Sequence, residues 1–163
     1  MKNSSIQEII QKNIKVLLQF IDENAKVILL DKSKDDQNQV FWVKIESKEP
    51  AILIGQKGSN LRALQHLVSV ISRRKIQEKS RIIRIILDVN DYRLNRLEFL
   101  KRVAIMNYKK AVQTKHLVVL KPMTAYDRRV IHLTLAPKEE VKTESLGEEP
   151  NRRVVIRPKK KNT

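Results

Sequence analysis

The chain has 163 residues, 41% of them hydrophobic, with 34 Lys and Arg against 18 Asp and Glu, a net charge of +16. That apolar fraction excludes a wholly disordered chain, the length suits one ordinary domain or two small ones, and the charge makes a polyanion the default partner. The absence of cysteine excludes a disulfide scaffold, a thiolate zinc site and a cysteine nucleophile, and no apolar run approaches the roughly 20 residues needed to span a bilayer.

The polar start Met1-Lys2-Asn3-Ser4-Ser5 lacks the form of a signal peptide, so the protein is expected in the cytoplasm with no stable membrane insertion. Residues 6–20 place Ile6, Ile9, Ile10, Ile14, Leu17, Leu18 and Ile21 at helical spacing, with Ser4 or Ser5 available as a cap. Val27 to Leu30, a polar turn from Asp31 to Asn38, and Val40 to Ile45 then read as an antiparallel hairpin. Period-2 alternation puts Phe41, Val43 and Ile45 on one face and Trp42 and Lys44 on the other. Trp42 has the chemistry to stack a base, but packing is the expectation.

Pro50 opens a short helix through Ile54, Gly55-Gln56-Lys57-Gly58 interrupts it, and a helix resumes from Asn60 to Lys75. His66 is expected to pack between Leu64 and Leu67. Arg81 to Val89 is a β-branched strand. A long basic helix follows from Asp91 to Thr114 through Leu94, Leu97, Leu100, Ala104 and Ala111, then a strand from His116 to Leu120. Thr124 and Asp127 form a box-like cap for a helix to Leu135, and Val141 to Leu146 and Arg152 to Ile156 are strands around a turn at Gly147. Residues 1–91 carry 16 basic and 11 acidic side chains and residues 92–163 carry 18 and 7, so most of the electrostatic attraction belongs to the second half.

Two of the three glycines of the chain lie three residues apart between helical segments. Residues without Cβ let the backbone approach a sugar-phosphate chain, and the helix that follows directs N–H groups and positive dipole at phosphate oxygens. Lys57 adds a full charge. Ile52, Ile54 and Leu61 offer an apolar wall to unstacked bases. Alone, this spacing equally describes a helix terminator and a turn. The order helix, strand, strand, helix, Gly-x-x-Gly, helix, strand, however, resembles the type II KH fold over residues 5–90. That resemblance implies RNA binding at Ile54, Gly55, Gln56, Lys57, Gly58, Asn60 and Leu61.

In the second half, Arg128-Arg129-Val130-Ile131-His132 sets Arg128 and His132 one turn apart on a face with Ala125, Arg129 and Ala136. Such a face suits a phosphate backbone, Arg128 chelating oxygens and His132 adding a hydrogen bond. The stretch resembles the Arg-x-x-x-His nucleic-acid-binding domain. Together with Leu87-Asp88-Val89, Tyr92-Arg93, Pro122-Met123, Tyr126-Asp127 and Gly147-Glu148-Glu149-Pro150-Asn151-Arg152-Arg153-Val154-Val155-Ile156, it is similar to the Jag family of bacterial proteins over about residues 24–157. That family joins a KH domain to an Arg-x-x-x-His domain. The resemblance implies nucleic-acid contacts from Arg128, Arg129, His132, Arg152 and Arg153. It further implies a post-transcriptional regulator or RNA chaperone linked to bacterial cell elongation, envelope homeostasis or division, with a small KH-domain protein as a partner. Many members carry a further amino-terminal domain, whereas here one helix precedes the KH core. Gln56 stands where a basic residue is common.

The expected fold class is therefore α/β (α+β) in two small domains. A type II KH sandwich with its amino-terminal helix covers 1–90, an Arg-x-x-x-His α/β domain covers 91–158, and 159–163 is a disordered basic tail. The partner is single-stranded RNA, with single-stranded DNA as a second candidate. No cofactor, metal or catalytic group is expected, because His66, His116 and His132 fall in separate elements without ligand spacing. The competing reading is a membrane-surface or protein-assembly adaptor whose basic surface binds anionic lipid or a protein. Against lipid, the first helix has only Lys12 and Lys15 as its main cations.

Overall fold

The apolar repeat at the start of the chain forms helix α1 (Asn3–Leu18), which buries Ile6, Ile10, Ile14 and Leu18 along one stripe. In this computed structural model the described residues are 3–34, 38–76 and 82–159. The helix is already running at Asn3, so Ser4 and Ser5 lie in its first turn instead of capping it, and Ile21 falls beyond its end and is exposed. Strand β1 (Lys26–Lys34) pairs antiparallel with β2 (Asn38–Glu46), so extended chain continues past Asp31, where the turn was expected to begin. β2 pairs parallel with β3 (Ile82–Val89), and the sheet order is β1-β2-β3.

Phe41, Val43 and Ile45 point from β2 into the core with Ile83, Ile85, Leu87 and Val89 from β3. On the other face Trp42 is half-buried between its register neighbours Leu30 and Ile86, a packing role. Helix α2 (Pro50–Ile54) leads through one 3₁₀ turn, Gln56–Gly58, into α3 (Ser59–Lys75), which supplies Leu61, Leu64 and Val68 to the same core. Asn13 on α1 donates to Ser72 Oγ on α3 at 3.0 Å and accepts from Lys75 Nζ at 2.8 Å. This satisfied polar contact in an apolar interface fixes how the two helices register. His66 is exposed, because the buried stripe of α3 runs through positions 64 and 68 and position 66 falls on the opposite side.

The contacts divide the chain into two compact units, Met1–Arg93 and Leu94–Thr163. Helix α4 (Tyr92–Thr114) begins with the last two residues of the first unit and, in the second, buries Leu100, Ala104 and Ala111 with α5 (Ala125–Leu135) and a sheet of order β4-β6-β5. Leu94 is exposed: it lies about 100° around the helix from the buried stripe. β4 is only Val118–Val119, shorter than the expected His116–Leu120. β5 (Val141–Leu146) and β6 (Arg153–Pro158) are antiparallel neighbours, connected through Gly147 at φ +86°. The cap of α5 is as read: Thr124 Oγ1 accepts from the Asp127 N–H at 3.3 Å. The reciprocal half of the box is absent, since the Asp127 carboxylate is taken by Arg96 at 2.7 Å. Lys159, assigned to the tail, donates its N–H to Glu140 O at 2.8 Å, and residues 160–163 lie outside the described residues.

Candidate nucleic-acid interface

In the Gly-x-x-Gly segment three of four residues have positive φ: Gly55 at +67°, Lys57 at +52° and Gly58 at +76°. A Cβ on Gly55 would lie 2.8 Å from Ser59 Oγ and closer still to the Asn60 carboxamide, so only glycine fits. Asn60 is the reason for that tightness. Its Nδ2 donates to Ile52 O at 2.8 Å, tying the end of α2 to the start of α3. Arg62 Nη1 donates to Lys57 O at 2.8 Å, and the Gly58 N–H donates to Gly55 O at 3.2 Å. The loop is thus fixed from inside while Gln56 and Lys57 are exposed. Helix α3 has Gly58 at its N-cap and no side-chain cap; its Ser59 N–H donates to Gln56 O, and the positive end of this 17-residue helix lies at the loop.

Two expectations about this site need correction. Leu61, placed on the apolar wall, is 2% exposed and belongs to the core, because it lies on the stripe of α3 shared with Leu64 and Val68. The exposed apolar neighbour of the loop is Ile52, with Ile54 half-buried at the core margin. Gly58 is buried as well, and a Cβ there would be 3.0 Å from the Tyr92 ring. It serves close packing as much as approach to a ligand.

The Arg-x-x-x-His pair is more deeply committed than its spacing implied. The side chain of Arg128, expected to chelate phosphate from an open face, is 9% exposed; Nη1 donates to Met123 O at 2.8 Å and pairs with Glu149 Oε1 at 2.7 Å. His132 has Nδ1 at 2.7 Å from Thr143 Oγ1 and Nε2 at 2.8 Å from Ser145 Oγ, so both ring nitrogens already have partners on β5. Burial first, and the Arg128 charge second, hold its pKa below the ordinary histidine value. The motif therefore bolts α5 to β5 and to the Gly147–Asn151 turn. Arg129 and Arg152 are exposed, and Arg153 is half-exposed with Nε donating to Asn151 O at 3.0 Å.

Sequence reasoning also missed the anchor at the start of α4. Asp88 Oδ1 accepts the Arg93 N–H at 3.1 Å, while Arg93 donates to Leu87 O at 2.8 Å and to Gln65 Oε1 at 2.7 Å. The signal was the Leu87-Asp88-Val89 and Tyr92-Arg93 pair of segments, which carried the resemblance without stating its cause. Among the described residues no group of three or more His, Asp or Glu is placed to hold a metal ion, and no helix is long and apolar enough to cross a membrane.

Two family models match these two regions in order. Residues 11–85 match the KH domain of KhpA/KhpB, and residues 98–158 match the domain named for its Arg-x-x-x-His motif. The RNA-binding protein KhpB of Clostridium symbiosum is 35% identical over 93% of this chain and 67% of its own length. The chain belongs to the KhpB family. The KhpB of Bacillus subtilis (strain 168) is 31% identical over 98% of this chain and 78% of its own length. That of Lactiplantibacillus plantarum is 32% identical over 79% of this chain and only 39% of its own. The family pairing of a KH domain with an Arg-x-x-x-His domain is that of a non-enzymatic nucleic-acid binder, and the fold is the mixed α/β pair expected from the sequence.

Proposed function

We propose that this chain binds single-stranded RNA in the cytoplasm, acting as a post-transcriptional regulator or RNA chaperone, with the KH loop as the principal site. One observation carries the reading: exposed Gln56 and Lys57 sit on a loop locked at positive φ, ahead of a helix start without a side-chain cap and beside exposed Ile52. Phosphate meets N–H groups and the Lys57 charge there, and an unstacked base meets Ile52. Relatives named for RNA binding support it. The family resemblance extends the reading to bacterial cell elongation and envelope homeostasis, with single-stranded DNA as a weaker competitor. Gel shift of the full chain with single-stranded RNA tests it: Gln56→Asp with Lys57→Asp should weaken binding by at least about tenfold while the circular dichroism spectrum is kept. Unchanged affinity would remove the loop from the site.

A protein partner, which the resemblance makes a small KH-domain protein, is favoured by a separate observation. Ile28 and Leu30 are exposed beside half-buried Trp42 on the sheet face away from the helices.

A further inference from the structure

Phe99 on α4 and Tyr126 on α5 are 48% and 59% exposed, and neither contributes to the core of the second unit. Arg96 links them. Its guanidinium carbon stands 5.5 Å from the centre of the Phe99 ring, and its Nη2 is 2.7 Å from the carboxylate of Asp127, the residue after Tyr126. The Asp127 side chain is 5% exposed and cannot swing away, so the guanidinium is held near the ring.

Further cations lie on the same helices. Arg102 is three residues after Phe99 and Arg129 three after Tyr126, each on the exposed side of its helix. Arg152 is kept at the same end of α5 by the Met123 N–H, which donates to its carbonyl at 3.1 Å. Of the nearby carboxylates, Asp127 pairs with Arg96 and Glu149 with Arg128, while Glu98 on α4 and Glu148 in the turn are exposed. A lone exposed aromatic is ordinary. Two exposed rings on helices joined through an anchored guanidinium, each with an exposed arginine three residues further along its helix, combine flat apolar faces with charge for a polyanion.

We propose that Phe99, Arg96 and Tyr126 form a base-stacking platform for single-stranded RNA, with Arg102, Arg129 and Arg152 holding the adjoining phosphates. The inference rests on the RNA reading above and adds a second site to it, outside the KH loop and outside the side chains of Arg128 and His132. Unpaired bases are the fitting occupant because a duplex keeps its base faces stacked internally and offers the rings nothing. Aromatic stacking has no sequence requirement, so this platform would contribute affinity without selectivity.

The test uses the full chain carrying Gln56→Asp and Lys57→Asp, so that the second unit dominates. The probes are oligoadenylate of about 10 nucleotides and an RNA duplex of the same length. Phe99→Ala with Tyr126→Ala should weaken single-strand binding by about tenfold or more, leave duplex binding as it was, and leave the salt slope unchanged, since stacking releases no counterions. Phe99→Tyr with Tyr126→Phe keeps both rings and should keep the affinity. Arg129→Ala with Arg152→Ala should instead lower the salt slope by about 1.4. Single-strand binding unaffected by loss of the rings, or an equal loss on the duplex, would overturn the platform while leaving the KH site standing. Absence of RNA binding by the unsubstituted chain would overturn both.

Discussion

At the scale of single residues, the positions that matter most are those whose backbone or ionisation is forced. Gly55 sits at φ +67° and ψ −177°, a region open only to glycine, with the Asn60 carboxamide where a Cβ would be. Gly55→Ala should therefore cost about 1–3 kcal/mol in denaturant unfolding and abolish KH-loop binding together. Lys57→Asp should cost little stability, since aspartate tolerates the left-handed conformation that Lys57 already adopts at φ +52°. Gly58→Asp is a poor probe, because it strains the backbone and presses on Tyr92. His132 makes a pH prediction. Its folded-state pKa lies below the ordinary value, so the unfolded chain binds the extra proton first. The corresponding stability is fully present above about pH 6.5 and is lost as the pH falls through the lowered folded value. Thermal unfolding between about pH 7.5 and 5 should show that loss, and His132→Gln should flatten this part of the profile.

Among the elements, those with local causes were legible in the sequence. The stripe of α1, the alternation of β2 and the Thr124 cap of α5 each follow from spacing within a few residues, and each is present. Even the Gly-x-x-Gly loop needed only glycine chemistry and the order of its neighbours. What was not legible depends on distant partners. Arg128 reads as an open cation until Glu149, far along the chain, closes over it, and His132 reads as a free donor until β5 brings Thr143 and Ser145 to its two nitrogens. Leu61 fails for a subtler reason: an apolar residue beside a loop fits a wall or a core equally, and only the rotation of α3 decides. Arg128 consequently belongs to stability. Arg128→Ala leaves buried Met123 O without its donor and breaks the contact to the Gly147–Asn151 turn, and should cost about 2–4 kcal/mol in equilibrium unfolding. A variant as stable as the parent would return Arg128 to the role of a ligand contact. Glu149→Gln keeps that donor contact and frees one positive charge, so it should bind single-stranded RNA somewhat more tightly at low salt.

For the whole molecule, the deciding quantity is whether the two proposed binding regions share a strand. The +16 charge is concentrated in the half that contains Arg129 and Arg152, whereas the KH loop offers shape, one exposed lysine and an uncapped helix start. Counterion release should therefore come mainly from the second unit, and selectivity, read at base edges, from the first. Each single-strand phosphate contact contributes about 0.7 to the slope of log affinity against log salt. A slope magnitude above about 3 is expected between about 50 and 200 mM salt, which corresponds to more than about four contacts. If both regions hold the same strand, binding at one raises the effective concentration at the other, and a strand long enough to reach both gains far more than the sum of two weak sites. The full chain should then bind a long single strand at least about tenfold tighter than a short one, and Gln56→Asp with Lys57→Asp should erase most of that gain while lowering the salt slope by about 0.7, the share of one contact. Arg129→Ala with Arg152→Ala should erase the gain and lower the slope together, yet preserve the ranking of different RNA sequences. Equal affinity for long and short strands would mean that the two regions act on separate molecules, and the second unit would then need a partner other than the RNA held by the KH loop.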